Sequence, residues 1–400
     1  MKKKNLYDVC IVGGLGHAGL PLGISFAKSG KRVILYDINQ EAIDVLSQGK
    51  MPFMETGAEE VLRDVLGKTL FATSEKQTIS DSHFIIVVIG TPVDEHLNPK
   101  FTAFKKFFSE IVEFIQDDQH IILRSTIFPG TTEKVKELLR SHGKQTRVSF
   151  CPERIAEGKA MEELRSLPQI VASFDEPSLR EAKELFLSLT DDVLFLKPVE
   201  AELAKLFTNV WRYIQFSISN QFYQITTQCG LDFYKIYNAM THNYPRTRGF
   251  GSAGFTAGPC LFKDTMQLAA FSNNTFFLGH AAMLINEGLP NFIIQRLKER
   301  YSLKDKIVGI LGMAFKGNSD DPRESLSYKL KKILEIDSKK VLCTDPFVKD
   351  DSLISLDEVI THSDILILGA PHTLYKQIDI DFSSKIVVDI WNFFGKGGSF

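Results

Sequence analysis

A short apolar run with β-branched residues, 7–12, ends in glycines, and apolar positions then recur at helical spacing over 17–29. Residues 32–37 read as a second strand, so the chain opens with a strand–helix–strand unit. Apolar runs return at 84–89, 121–124 and 148–150, with helical patterns at 39–48 and 132–141 between them. Continuous apolar strands alternating with helices predict a parallel sheet covered on both faces.

The pattern changes near residue 195. Pro198 suits the first turn of a helix, and Gly230 is the next residue suited to stop it. Between them Leu203, Leu206, Phe207, Val210, Trp211, Ile214, Ile218, Phe222 and Ile225 keep helical spacing. A helix of about 30 residues spans about 45 Å, longer than a small domain needs. Such a helix joins domains or packs against a second subunit. Further helices are predicted at 233–240 and 265–289, around a Gly/Pro-rich loop at 244–259 suited to close backbone approach. Strands then return at 306–312, 341–343, 365–368 and 386–389. The predicted fold is therefore α/β, with two Rossmann-like parallel-sheet domains joined by a central all-helical domain and its long connecting helix. The boundaries fall at 1–196, 197–300 and 301–400.

Composition narrows the function classes. The 400 residues are 44% apolar and 24% charged, ordinary for a soluble globular chain, and a net charge of −2 offers no polyanion surface. Nucleic acid is excluded as an expected partner. No run approaches 18 apolar residues, so no transmembrane helix is expected. The basic start is followed by only the short apolar run 9–13, which predicts no secretory leader and a cytoplasmic location. Five scattered cysteines (10, 151, 229, 260 and 343) without CxxC spacing predict a reduced chain in which one thiol is chemically special. The nine histidines form no HxxxH or His/Cys cluster, so no metal site is expected.

Gly14-Leu15-Gly16-His17-Ala18-Gly19 is a GxGxxG between a predicted strand and helix, and Asp37 ends the next strand 18 residues beyond Gly19. The glycines allow a tight turn and backbone approach to a pyrophosphate, which the helix N-terminus then receives. A carboxylate at Asp37 accepts from the adenosine ribose and repels a 2′-phosphate, which favours NAD over NADP. The later Gly309-x-x-Gly312 lacks the full fingerprint and suggests a similar fold for a different nucleotide. Cys260 follows Gly258-Pro259 and precedes Lys263-Asp264, at a predicted helix start beside a cation. That setting makes a thiol nucleophilic, whereas Cys10 and Cys343 sit inside predicted strands. Glu153 and Glu157 follow a strand end, where open α/β sheets place ligands. Lys205 and Asn209 share a face of the long helix. Solvated loop carboxylates and an exposed Lys/Asn pair are the plainer readings of these four.

These pieces, in order, resemble the UDP-glucose/GDP-mannose dehydrogenase family of nucleotide-sugar 6-dehydrogenases. Its markers here are Gly14–Gly19, Thr91-Pro92, Ser125-Thr126 with Pro129-Gly130, and Pro152-Glu153 through Glu157-Gly158. They continue in Glu202-x-x-Lys205-x-x-x-Asn209, Gly258-Pro259-Cys260 through Lys263-Asp264, and Phe315-Lys316 through Asp320-Asp321-Pro322-Arg323-Glu324-Ser325. The resemblance implies a four-electron oxidation of a sugar C6 alcohol to a carboxylate with two NAD. It also implies a homodimer or dimer of dimers.

The same resemblance implies the roles. Thr126, Glu157 and a water order the reacting region. Lys205 and Asn209 stabilise a C6 oxyanion, and Asp264 helps to remove the alcohol proton. Cys260 captures the aldehyde, and Glu153 assists hydrolysis of the resulting thioester. NAD contacts fall to Gly14, Leu15, Gly16, His17, Ala18, Gly19, Asp37, Thr91, Ser125, Thr126, Glu157 and Arg323. Substrate contacts fall to Glu153, Arg154, Glu157, Lys205, Asn209, Phe255, Gly258 and Lys316, with Arg246 or Arg248 reaching a neighbouring subunit.

The chain departs from the family pattern at Phe255-Thr256-Ala257-Gly258-Pro259, at Phe262, and at Asp389-Ile390-Trp391-Asn392, where Trp391 replaces a usual arginine. Lys263-Asp264 favours the UDP-glucose or GDP-mannose branch, so UDP-glucose going to UDP-glucuronate is the expected reaction. Two other readings remain: a two-electron hydroxyacid or polyol dehydrogenase, and a catalytically silent nucleotide-sugar-binding protein.

Overall fold

The computed structural model describes residues 5–91, 101–256, 258–377, 382 and 384–397. Pro92 and Ala257, both in stretches compared with the family above, lie outside them. The chain divides into two compact units, residues 1–207 and 208–400.

In the first unit, eight strands form one sheet: β1 (Tyr7–Val12), β2 (Val33–Tyr36), β3 (Leu70–Thr73), β4 (Ser82–Val87), β5 (His120–Leu123), β6 (Arg147–Phe150), β7 (Gln169–Ser173) and β8 (Val193–Leu196). Their order is β3-β2-β1-β4-β5-β6-β7-β8. All neighbours run parallel except β6 and β7. The order reverses between β1 and β4, the crevice where such sheets bind ligands. Strand alternation sends side chains to two separate cores. Val9 and Ile11 join Leu20, Ile24 and Phe26 on one face, while Cys10 and Val12 join Phe108, Val135 and Leu139 on the other. This is why the runs are apolar throughout rather than alternating.

The Pro198–Gln228 helix is 31 residues long, as its pattern predicts. Its head is fixed by Glu202, whose side chain is almost fully buried. Glu202 Oε2 accepts from Gly130 N at 2.6 Å, and Oε1 accepts from Thr132 N at 2.8 Å and Thr132 Oγ1 at 2.5 Å. These donors open the Thr131–Ser141 helix, whose N-cap Gly130 has no side chain to offer. Burial raises the Glu202 carboxyl's pKa despite those bonds.

In the second unit, β9 (Ile307–Leu311), β10 (Lys340–Thr344), β11 (Ile365–Leu368) and β12 (Ile386–Val388) form a parallel sheet in the order β10-β9-β11-β12. Val308, Ile310, Ile365 and Ile367 pack on Leu289, Ile293 and Leu297 of the Phe277–Lys298 helix. The single helix predicted at 265–289 is instead two, Leu261–Phe271 and Phe277–Lys298. Asn273 and Asn274 take left-handed φ of 53° and 60° between them. Asparagine tolerates that conformation, and the helical ladder ends there.

Glu202→Ala should leave three donors at the Thr131–Ser141 helix start without an acceptor. We expect a loss of about 3 kcal/mol in urea unfolding. Glu202→Gln, which retains one acceptor oxygen, should lose clearly less. An unchanged midpoint for Glu202→Ala would contradict the assigned role.

Candidate active site

Every first-unit loop that carries a predicted site residue leaves the C-terminal end of a strand. After β1, Gly13 N and Gly14 N both donate to Tyr36 O, and Leu15 N donates to Asp37 Oδ2 at 2.9 Å. Asp37 Oδ1 accepts from Asn39 N at 3.0 Å, so the carboxylate is fixed at the tip of β2. A Cβ at Gly16 would meet only Gly13 O, at 3.7 Å, so the protein itself leaves that side open for a ligand. Gly19, by contrast, is packed against the Gly13 and Gly14 backbone. The Gly19–Lys28 helix has no side-chain cap and no acid in its first turn, which suits a pyrophosphate. Ala18 is its N-cap, and the His17 ring lies 4.1 Å from Phe53.

The loops after β4 and β5 are stitched together. Thr91 Oγ1 donates to Thr126 O at 2.6 Å, and Ser125 Oγ donates to Ile89 O at 2.7 Å. Beyond β6, Glu153 is locked. Its Oε2 faces Arg124 Nε at 2.9 Å and Nη2 at 2.6 Å, and its Oε1 accepts from Arg154 N and Ile155 N. Arg124 is fully buried, also donating to Cys151 O and Gln169 Oε1, with Phe186 beneath its guanidinium. The Arg154 guanidinium donates to Pro168 O. Glu157 is half-buried beside Gly158, whose N–H donates to Glu55 Oε2 at 2.9 Å, while Ala160 N donates to Glu55 Oε1 at 2.7 Å. Glu55 thus holds the loop on which Glu157 stands.

Lys205 and Asn209 are both buried, one helical turn apart. Asn209 Nδ2 donates to Asp264 Oδ2 at 2.6 Å, and Asp264 is fully buried. Among the described residues, Asp264 Oδ1 accepts no hydrogen bond and has Lys263 Nζ at 3.6 Å. The structure therefore joins two residues that the sequence places 55 positions apart. Cys260 is exposed and directly precedes the Leu261–Phe271 helix. Burial pushes the thiols of Cys10, Cys151 and Cys343 up to about 12, which makes them inert.

Phe255, expected as a substrate contact, is buried in the core of the second unit. Arg246 and Arg248 are exposed, with Arg246 over the Tyr244 ring. Arg323 pairs with Asp321. Trp391 lies on Gly254, where any Cβ would overlap the indole. Lys316 follows Phe315, whose ring covers Gly258.

Arg124, Glu55 and the Asn209–Asp264 bond were missed by sequence reasoning. Only Arg124 left a signal, as a charge ending the apolar run 121–124. Among the described residues, no three His, Cys, Asp or Glu side chains are arranged for a metal, and no helix is long and apolar enough to cross a membrane.

A GxGxxG turn with an uncapped helix behind it and a fixed carboxylate on the next strand is the dinucleotide site of an NAD-dependent oxidoreductase. The chain belongs to the UDP-glucose/GDP-mannose dehydrogenase family. Its NAD binding domain matches residues 7–190, its central domain 199–287 and its UDP binding domain 309–396. The enzyme is thus an NAD-dependent nucleotide-sugar dehydrogenase acting on a CH–OH group. It is 29% identical over 394 residues to a UDP-N-acetyl-D-mannosamine dehydrogenase of Pyrococcus horikoshii, covering 94% of this chain and 93% of the relative. The solved structure of the P. horikoshii UDP-D-ManNAc dehydrogenase superposes with a TM-score of 0.87 at 28% identity, covering 94% and 93% of the two chains. A UDP-glucose dehydrogenase structure from Pyrobaculum islandicum gives a TM-score of 0.88 at 25% identity, covering 97% and 95%.

Asp37 predicts the cofactor preference. A 2′-phosphate beside this carboxylate costs about 3 kcal/mol, so kcat/KM with NADP should fall roughly 100-fold below that with NAD. Asp37→Ala should narrow the gap to within about tenfold. Equal use of both cofactors by the unaltered chain would refute the assignment.

Proposed function

We propose that this enzyme oxidises the C6 alcohol of a UDP-hexose to the carboxylate, in two successive two-electron steps, through a covalent adduct on Cys260. The observation that carries the reading is the exposed Cys260 thiol, two residues from the Gly258 turn and four before the buried Asp264 that Asn209 holds. NAD, when bound, accepts the hydride in each oxidation.

In the first oxidation Asp264 takes the C6 hydroxyl proton through a water at its Oδ1, and the C–H hydride leaves. Lys205 and Asn209 stabilise the negative oxygen by charge and by an N–H donor. The Cys260 thiolate then adds to the aldehyde carbon, giving a thiohemiacetal. Loss of its hydride leaves a thioester. Water cleaves the C–S bond to give the carboxylate and return the thiolate, with Glu153 orienting that water. The sum is one sugar alcohol, two NAD and one water giving one uronate, two NADH and the released protons. Thr126 and Glu157 order the reacting region, and Lys316 contacts the substrate. Arg154 and one of Arg246 or Arg248 complete the sugar contacts, and Arg323 serves the cofactor.

For the sugar, we rank UDP-N-acetyl-D-mannosamine first. Two relatives aligned over at least 94% of this chain, from P. horikoshii and Methanocaldococcus jannaschii, are named for that substrate. The retained Lys263–Asp264 pair supports UDP-glucose as the second reading. A panel of UDP- and GDP-sugars with NAD, followed by NADH absorbance, separates them. The chemistry is tested by stoichiometry and by Cys260→Ala. We expect two NADH per sugar, and loss of uronate formation in Cys260→Ala with ligand binding nearly intact. A single NADH per sugar would leave a two-electron dehydrogenase instead. No turnover with any sugar would leave a silent binding protein.

We also propose a homodimer built on the Pro198–Gln228 helix, and a reduced, cytoplasmic setting that its disulfide-free cysteines suit. Phe207, Trp211, Ile218, Phe222 and Ile225 are 37–60% exposed and repeat at helical spacing. Trp211 is the most exposed of them. Trp211→Glu should convert the dimer to a folded monomer in light scattering at micromolar concentration. A monomeric parent chain would refute the proposal.

A further inference from the structure

The chain leaving β9 is held at both ends by one buried pair. Asp345, at the tip of β10, accepts from Met313 N at 2.6 Å and Ala314 N at 2.9 Å through Oδ2, and from Phe347 N and Val348 N through Oδ1. His372 Nε2 lies 3.0 Å from the same Oδ2, and neither side chain is accessible. At the far end of the segment, Asn318 N donates to His372 Nδ1 at 3.0 Å. A backbone N–H can only donate, so Nδ1 is unprotonated and Nε2 carries the proton given to Asp345. His372 is therefore a neutral imidazole of one fixed tautomer beside a carboxylate. Asn318 is fastened a second time, since its Oδ1 accepts from Thr373 N at 2.9 Å and Thr373 Oγ1 at 3.0 Å.

Between these anchors stand Phe315 and Lys316. The Phe315 ring covers Gly258, where a Cβ would lie 2.6 Å from Cδ2 and 2.8 Å from Cε2. Gly258 has φ of +103° and its N–H points to Glu324 O. The earlier part of the 244–259 loop is held separately, by Gly254 N donating to the buried Asn220 Oδ1 at 2.9 Å. The ring therefore supports the loop two residues before Cys260.

We propose that His372, with Asp345, is a positioning residue for Cys260: the pair fixes the 312–318 segment, and the Phe315 ring of that segment sets the seat of Gly258 and hence of the thiol. The inference rests on Cys260 as the nucleophile for its catalytic consequence, though not for the geometry. A nucleophile displaced by about 1 Å can lose on the order of 100-fold in rate, so a fixed seat matters more here than at an ordinary loop.

The test uses the full chain carrying Cys229→Ser, which removes the other exposed thiol. Iodoacetamide alkylation of Cys260 is followed by mass spectrometry beside steady-state NADH formation. His372→Leu, which keeps the apolar volume but neither bond, should change the alkylation rate at least about fivefold. It should also lower kcat at least about tenfold at an unchanged KM for NAD. His372→Gln can accept from Asn318 N and donate to Asp345, and should return both readouts to within about threefold of the parent. A folded His372→Leu whose alkylation rate matches the parent overturns the proposal, as does His372→Gln behaving like His372→Leu. If His372→Leu does not fold, Phe315→Leu replaces it: the same alkylation change supports the proposal and parent-like alkylation overturns it. Alkylation does not need Cys260 to be catalytic. Activity retained in Cys260→Ala would therefore refute the proposed chemistry while leaving this readout to decide the positioning role.

Discussion

Parallel strands that stop at a ligand site leave the next few backbone N–H groups without ladder partners, and in this chain carboxylates accept them. Asp37 holds Leu15 and Asn39, Glu153 holds Arg154 and Ile155, Glu55 holds Gly158 and Ala160, and Asp345 holds four amides at once. Each bond to a charged acceptor is stronger than a neutral one, and each anchors a loop that would otherwise be free to move. Glu202 does the same at the head of the Thr131–Ser141 helix. The strand ends thereby carry a rigid rim on which side chains can be placed.

The two sheets use the same device to different ends. In each, a glycine after the first strand donates to the last carbonyl of the neighbouring strand, Gly13 to Tyr36 and Gly312 to Thr344. In each, an aspartate just beyond that carbonyl accepts from the following turn, Asp37 from Leu15 and Asp345 from Met313. Asp37 remains partly exposed. Asp345 is sealed by His372, and burial, which alone would raise its carboxyl, is outweighed by the imidazole and amide bonds that hold it at about 2. One copy of the plan leaves its carboxylate accessible, and the other commits it to internal order.

Much of this was legible in the sequence. The strand–GxGxxG–helix unit, Asp37, the long helix and the second run of strands are all local patterns, and local patterns survive folding. The strands β3 and β8 escaped because they are short and partly exposed, with Leu194 and Phe195 each 46% accessible, and β7, though buried, because its apolar run is only Ile170-Val171-Ala172. The break at Asn273-Asn274 escaped because apolar spacing continues across it. Pairings such as Arg124 with Glu153, Asn209 with Asp264 and Asp345 with His372 link residues 27 to 55 positions apart. No periodicity encodes them, because each depends on which strand ends become neighbours.

The thiols show how far such placement can set identical side chains apart. Cys10, Cys151 and Cys343 lie within or just beyond sheet strands, where loss of hydration disfavours the thiolate and pushes the group up to about 12. Cys260 stands outside any strand, exposed at the start of a helix whose first turn carries Lys263 and Asp264. A thiolate there keeps its hydration and the favourable end of the helix dipole. The buried Asp264 is the complementary case. Asn209 satisfies one oxygen with a neutral donor, and Lys263 lies near the other without a hydrogen bond. A carboxylate held by an amide on one side keeps lone pairs for a water on the other, which a carboxylate clamped like Glu153 does not. The proposed division of labour, with Asp264 as proton acceptor and Glu153 as an orienting group, matches what each is already bound to.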